Sequence, residues 1–292
     1  MESRSIDLHT HTSYSDGSAS PTELIRLAAG QHAAAIAITD HDNVAGLTEG
    51  RAAACEAGIE FINGLEISAD YQPGTMHILG YYIDDRSARL NADLTALQHA
   101  RETRNPKIAG KLRDLGFDID YEEVASLAGG DVVGRPHFAK LMVEKGYATS
   151  IKDAFDRFLA KGGSAYVEKK RLAPPDAIDL IHHAGGVAVL AHPYQLKLES
   201  ADQIEDEISR LAALGLDGIE AIYSRHSPEQ RQQYQELAVK HGLLVTGGSD
   251  FHGSYKPDIN IVRGLGDLQV PYPLLEPLKA RAAAVSAGSR PA

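Results

Sequence analysis

Ala33 to Thr39 is an apolar run without polar alternation, and it ends abruptly in Thr39-Asp40-His41-Asp42. Such a run fits a strand buried on both faces, which α/β folds need when helices cover a parallel sheet. The arrangement recurs. Ile6-Asp7-Leu8 leads into His9-Thr10-His11, Phe61-Ile62 runs toward Glu66, and Met76 to Tyr82 carries His77. Val187 to Ala191 ends in His192-Pro193, Gly218 to Ala221 leads to Tyr223-Ser224-Arg225-His226, and Leu243 to Thr246 precedes Ser249-Asp250-Phe251-His252. Helical stretches alternate with these runs: one opening at the capping sequence Ser20-Pro21-Thr22-Glu23, then Leu47 to Ala57, Pro175 to Ala184, Ile204 to Leu214 and Pro228 to Lys240. Repeated strand-then-helix units in one direction imply a parallel sheet, open or closed. Polar residues gathered at the ends of five or more strands favour the closed barrel.

The rhythm breaks once. Arg86 to Leu115 is helical and charged, with an expected interruption at Asn105-Pro106, because the residue before proline is pushed out of helical geometry. From there to about Arg171 no strand pattern appears, so residues 101–171 are expected to form an inserted, mostly helical subdomain capping a barrel made of 1–100 and 172–292. The alanine- and glycine-rich tail after Leu278 is expected to fray.

Composition narrows the chemistry. With a formal net charge of -11, the chain is a poor partner for long nucleic acid, whose affinity comes mostly from lysine and arginine displacing counterions. A single cysteine, Cys55, excludes an intrachain disulfide framework and a thiolate-rich metal site. No apolar run reaches membrane-spanning length, and Met1-Glu2-Ser3-Arg4 leads straight into a strand, so a cytoplasmic protein without a membrane partner is expected.

The strand ends supply His9, His11, Asp16, Asp40, His41, Glu66, His77, His192, Asp250 and His252. Any one of these has an ordinary explanation as a helix cap, a turn or a packed histidine. Together they place nitrogen and oxygen ligands at equivalent ends of successive strands. Imidazole and carboxylate without thiolate suit Zn, Mn or Fe, and one tetrahedral ion would not use so many donors.

His9-Thr10-His11, Thr39-Asp40-His41, Ala191-His192-Pro193 and Ser249-Asp250-Phe251-His252 stand in the order of the four motifs of the PHP (polymerase and histidinol phosphatase) family, which the chain resembles over residues 1 to about 85 and about 175 to 255. The resemblance implies a distorted (β/α)7 barrel with two or three divalent ions, manganese favoured, iron or zinc as alternatives. It implies His9, His11, Glu66 and Asp250 on one ion, Glu66, His77 and His192 on a second, and Asp16, His41 and His252 on a third. Asp40 would orient a ligand histidine, and His252 or a metal-associated water would protonate the leaving oxygen. Many family members carry histidine where this chain has Asp16.

Within the family, the insertion resembles the branch of nucleoside 3',5'-bisphosphate phosphatases and short-RNA 5'-3' exonucleases. Gly134-Arg135-Pro136-His137 offers an arginine fork stiffened by proline, Arg101 and Arg104 share a helical face, and Lys169-Lys170-Arg171 lies where the insertion rejoins the barrel. Arg135, His137, Lys170, Arg101, Arg104, Arg225 and His226 are therefore the expected contacts to a small phosphorylated nucleotide. Loss of the 3'-phosphate to leave a 5'-monophosphate is the implied reaction. Exonuclease action on short oligonucleotides and histidinol phosphatase are its nearest rivals. A cyclic amide hydrolase and a non-catalytic, metal-stabilised module are rivals of other classes.

Overall fold

The computed structural model of the chain describes residues 5–128, 133–168 and 170–288. Its seven strands lie side by side in chain order: β1 (Ile6–Asp7), β2 (Ala35–Ile38), β3 (Glu60–Ala69), β4 (Met76–Tyr81), β5 (Val187–Leu190), β6 (Gly218–Tyr223) and β7 (Leu244–Gly248). Backbone hydrogen bonds bring the last strand back to the first. Leu8 N–H donates to the Gly247 carbonyl at 3.2 Å, Asp250 N–H to His9 at 2.8 Å, and His11 N–H to Phe251 at 2.9 Å. The result is the expected seven-stranded α/β barrel, nearly closed.

The expected single strand direction fails at one place. β4 runs antiparallel to both β3 and β5, whereas the other neighbours pair in parallel. Ala69 pairs with Met76, so the connection holds only residues 70–75, and a parallel partner would need a crossover of roughly a dozen or more. The reversal has a functional consequence. His77, near the start of β4, pairs with Ser68 near the end of β3, so it reaches the rim where the parallel strands end.

Helices α1 (Pro21–Gly30), α2 (Leu47–Ala57), α7 (Pro174–His183), α8 (Ala201–Ala213) and α9 (Pro228–Lys240) belong to the barrel. Serine caps open α1, α8 and α9, and α1 has the full capping box with Glu23. Strand side chains alternate between two cores. Ile36, Ile38, Leu65 and Ile67 pack with Leu24, Ile25 and Ile181 of the helices. Ile6, Leu8, Ala35, Ala37, Leu79 and Tyr81 pack inside with Leu268, Val270 and Leu275. The tail does not fray after Leu278, because α10 (Leu275–Ser286) buries Leu275, Leu278 and Ala282 there, and Arg281 Nη1 reaches Asp217 at 2.8 Å.

The insertion has a third core, running from Ile108 to Ala165. It is built from the end of α3 (Ala88–Asp114), α4 (Tyr121–Ala128), α5 (Arg135–Glu144) and α6 (Ile151–Ala154), the last continuing as a π-helical turn, Phe155–Leu159. The expected break at Asn105-Pro106 does not occur, and α3 passes through it. A proline inside a helix costs about 3 kcal/mol, while each fully buried aliphatic side chain contributes roughly 1.5–3 kcal/mol. Leu90, Leu94 and Leu97 bury in the helix-facing core and Ile108, Ala109 and Leu112 in the third, so one continuous helix secures both.

Candidate metal centre

Glu66 stands at the middle of the rim. Its Oε2 lies 3.3 Å from His9 Nε2, 3.2 Å from His11 Nε2 and 3.1 Å from His41 Nδ1, and its Oε1 lies 2.8 Å from His77 Nδ1 and 3.0 Å from His192 Nε2. Asp250 Oδ1 faces the same cluster, 3.6 Å from His9, 3.4 Å from His11 and 3.3 Å from His252. Asp16 sits between His252 at 3.3 Å, His11 at 3.7 Å and His41 at 3.8 Å. The structure thus brings every one of the nine expected ligands to one place. They fall into overlapping groups able to hold an ion: His9 with His11 and Asp250; Glu66 with His9 and His192; Glu66 with His41 and His77; and Asp16 with His11, His41 and His252.

The donors fit divalent cations. His41 Nδ1 and Glu66 Oε2 are buried without hydrogen-bond partners, and His9 and His11 turn their Nε2 atoms to within 3.1 Å of each other. The first two atoms are costly to bury without a partner, and the two Nε2 atoms lie close enough to converge on one cation. Burial pushes the Glu66 carboxyl up, but His41, His77 and His9 outweigh it and hold it well below the usual range. Burial opposes a charge on His11, yet Asp250 and Glu66 lift it to about 9. Protons there occupy the place of cations, so loading the centre must release them.

Backbone detail fixes these positions. His192 and Asp250 adopt φ of 27° and 59°, left-handed values that non-glycine residues hold only when surroundings enforce them. Glu220 supplies part of that enforcement: fully buried, it places Oε1 2.9 Å from His9 Nδ1 and accepts the His192 backbone N–H at Oε2, 2.8 Å. Gly248 lets β7 pass His9, since a Cβ there would lie 2.4 Å from the His9 Cβ. Glu220 escaped the sequence reading. Its signal was an acid inside the otherwise apolar strand Gly218–Tyr223. Tyr223 and Lys256, both on Asp250 Oδ2 at 2.7 and 2.6 Å, followed no recognisable spacing.

Asp40 makes no direct hydrogen bond to a ligand histidine among the described residues. It accepts from Thr12 N–H, the Thr12 hydroxyl and the Ser15 hydroxyl at 2.8, 2.6 and 2.6 Å, bracing the loop that carries Asp16. Contact with His11 Nδ1 runs only through Ser15, at 3.5 Å. His252 donates its Nδ1–H to the Asp250 carbonyl at 2.9 Å and turns Nε2 toward Asp16. That geometry serves a ligand when Nε2 is bare and an acid when Nε2 is protonated.

A cavity of about 880 Å³ joins the cluster to the insertion. Arg101, Arg104, Arg135 and Arg225 line it, as do Lys161 and Arg171, which the sequence did not single out as contacts. Three expected contacts lie elsewhere. Lys170 is exposed outside the cavity, and its neighbour Lys169 falls outside the described residues. His137 is buried and accepts the Gly134 N–H at Nδ1, 2.9 Å, capping α5; burial pushes it down to about 4. His226 is buried among Tyr194, Tyr223 and Tyr234 and donates Nδ1–H to the Ala221 carbonyl.

Burial pushes His226 down to about 3. Between that value and the ordinary 6.5 the unfolded chain binds one more proton than the folded one, so His226 makes stability fall as pH drops through this window. His226→Phe is therefore expected to lose about 1 kcal/mol at pH 7 with the Ala221 bond, and then to fall less steeply than the parent by up to about 1.4 kcal/mol per pH unit between pH 6 and 4. Urea unfolding at matched metal content reads the difference; parallel curves would contradict it.

The PHP domain model matches residues 7–171. A 5'-3' exoribonuclease of Haemophilus influenzae is 36% identical over 249 residues, 85% of this chain and 90% of that protein. A 3',5'-nucleoside bisphosphate phosphatase of Chromobacterium violaceum is 35% identical over 248 residues, 85% of this chain and 87% of that protein. Among solved structures, a metal-dependent phosphoesterase from Bifidobacterium adolescentis superposes with a TM-score of 0.84 at 31% identity, covering 95% of this chain and 96% of its own. Among the described residues no helix is long and apolar enough to cross a membrane. The rim cluster, the barrel and these relatives agree: the chain belongs to the PHP-domain family and is a hydrolase acting on phosphate esters.

Proposed function

We propose that the enzyme removes the 3'-phosphate of nucleoside 3',5'-bisphosphates, yielding a 5'-monophosphate and phosphate, with two or three divalent ions, manganese favoured, at the rim cluster. The observation that carries this reading is the arginine wall. Arg101, Arg104, Arg135 and Arg171 line the cavity that opens onto Glu66 and His77. Burial, reinforced by Arg135, Arg101 and Arg171, pulls the Arg104 guanidinium down to about 9, which marks a concentration of positive charge suited to an anion. Arg135 is held in place by the π-helical turn, donating to the Leu159 carbonyl at 2.9 Å with its guanidinium 5.7 Å from the Phe155 and Tyr166 ring centres.

Bound divalent ions supply Lewis-acid activation of water and charge neutralisation at the scissile phosphate. The arginines hold the second, unreacting phosphate, converting its binding energy into orientation of the first. The insertion contributes Arg135, Pro136, Ile151 and Phe155 to the cavity wall.

An exonuclease reading uses the same geometry. Cleaving the bond between phosphorus and the 3'-oxygen of a 5'-phosphorylated nucleotide is one reaction whether the departing phosphate carries a proton or a further chain. The cavity, at about 880 Å³, is near the upper end of the roughly 300–1,000 Å³ range of small-molecule sites, which favours admitting a short chain.

Phosphate release from purified, metal-loaded enzyme across a substrate panel tests the proposal. Adenosine 3',5'-bisphosphate is expected to exceed adenosine 3'-monophosphate in kcat/KM by about 10²-fold, the equivalent of one charge-assisted grip of up to 3 kcal/mol. Turnover no better than that of simple monoesters would refute the assignment. A rate that rises from the bisphosphate to 5'-phosphorylated di- and trinucleotides would select the exonuclease reading.

A further inference from the structure

We propose that Lys256 is a catalytic residue of this centre, gripping a non-bridging oxygen of the phosphoryl group under attack. Lys256 follows the short 3-10 turn Gly253–Tyr255 after β7 and lines the cavity. Its Nζ lies 2.6 Å from Asp250 Oδ2, an oxygen that also accepts the Tyr223 hydroxyl at 2.7 Å. The other oxygen of the same carboxylate faces His9, His11 and His252. The ammonium therefore stands one carboxylate away from the ligand cluster, with its side chain 31% exposed.

Its donors are not used up. An ammonium has three N–H bonds, and among the described residues Asp250 Oδ2 is the one acceptor on Lys256. Other cations around the cavity are differently placed: Arg101 is held on buried Asp42 at 2.7 Å, and Arg225 on Asp258 at 2.8 Å, farther out. Asp250 fixes the Lys256 head before substrate arrives, so little further ordering is needed when a phosphoryl oxygen takes the remaining donors. Charge spread over the equatorial oxygens in the transition state strengthens that contact. No bond is made or broken at Lys256.

The alternative is that Lys256 merely neutralises Asp250. The two roles predict different losses, and p-nitrophenyl phosphate with inorganic phosphate as inhibitor separates them without involving any nucleotide. Failure of this inference therefore leaves the bisphosphate assignment standing, and the reverse also holds. The full-length enzyme and its Lys256→Met, Lys256→Gln and Lys256→Arg variants are loaded with manganese, and metal content is measured in each. Glutamine still donates to Asp250 but lacks the charge, so it serves if the methionine variant folds poorly. For the neutral variants we expect metal content within about twofold of the parent, phosphate inhibition weakened about tenfold and kcat/KM reduced about 10- to 100-fold, with arginine restoring most of the phosphate affinity. Unchanged phosphate inhibition in the metal-loaded neutral variants overturns the inference, whether metal content is retained or falls.

Discussion

Replacing Glu66 with glutamine is expected to lower turnover of every phosphate ester by about a thousandfold or more and to strip metal from the centre. Glu66 is 1% exposed and meets five histidines through its two oxygens, and among the described residues no other carboxylate contacts as many members of the cluster. An amide keeps the shape but removes the negative charge that would hold divalent cations among these histidines. Losing several kcal/mol of charge stabilisation, at about 1.4 kcal/mol per factor of ten, gives the magnitude. The folded state should survive and can even gain in the absence of metal, because the amide removes a buried charge that otherwise needs protonated imidazoles around it. Metal analysis, thermal unfolding with a chelator present, and turnover distinguish these effects. Full metal content with near-normal turnover would remove Glu66 from the centre of the account.

The second large effect concerns selectivity. Arg135→Met is expected to reduce kcat/KM for adenosine 3',5'-bisphosphate about 10- to 100-fold while leaving p-nitrophenyl phosphate within about threefold. The asymmetry follows from position: Arg135 lines the cavity from the insertion and is anchored on Leu159, and none of the ligand histidines is its partner. Methionine keeps the bulk between Phe155 and Tyr166, so packing loss is limited. Equal losses on both substrates would mean that the arginine wall shapes the fold and does not read a second phosphate.

How much of this was legible beforehand depended on the length scale of each signal. His9, His11, His41, Glu66, His192, Asp250 and His252 could be found because strand ends are marked locally, by an apolar run followed by a polar ligand, and His77 because it stands inside an apolar run. The reversed β4 was equally local in principle, since only residues 70–75 separate it from β3, but the repeated strand and helix rhythm around it outweighed that count. Pro106 misled for a different reason. Its local preference was overridden by six apolar residues of α3 that reach into two separate cores, and which cores they reach is a tertiary fact.

The substrate residues show the same division. Arg135 was visible as a fork stiffened by proline, whereas His137, two residues on, turned inward to cap its helix. Arg171 lines the cavity while adjacent Lys170 points away, a difference set by one residue of chain direction that a cluster of like charges does not encode. Glu220 acts on the centre through His9 and His192, partners distant in sequence, so its one local mark, an acid within an apolar strand, did not say what it would hold; Lys256 reaches Asp250 six residues away at no regular spacing.

The most direct test of the central claim is anomalous diffraction at the manganese edge from crystals grown with manganese and adenosine 5'-monophosphate. At least two anomalous peaks are expected inside the cluster, one beside Glu66, with the 5'-phosphate on the wall formed by Arg104 and Arg135. Absence of peaks among these histidines and carboxylates, or a 5'-phosphate bound away from those arginines, would contradict that claim.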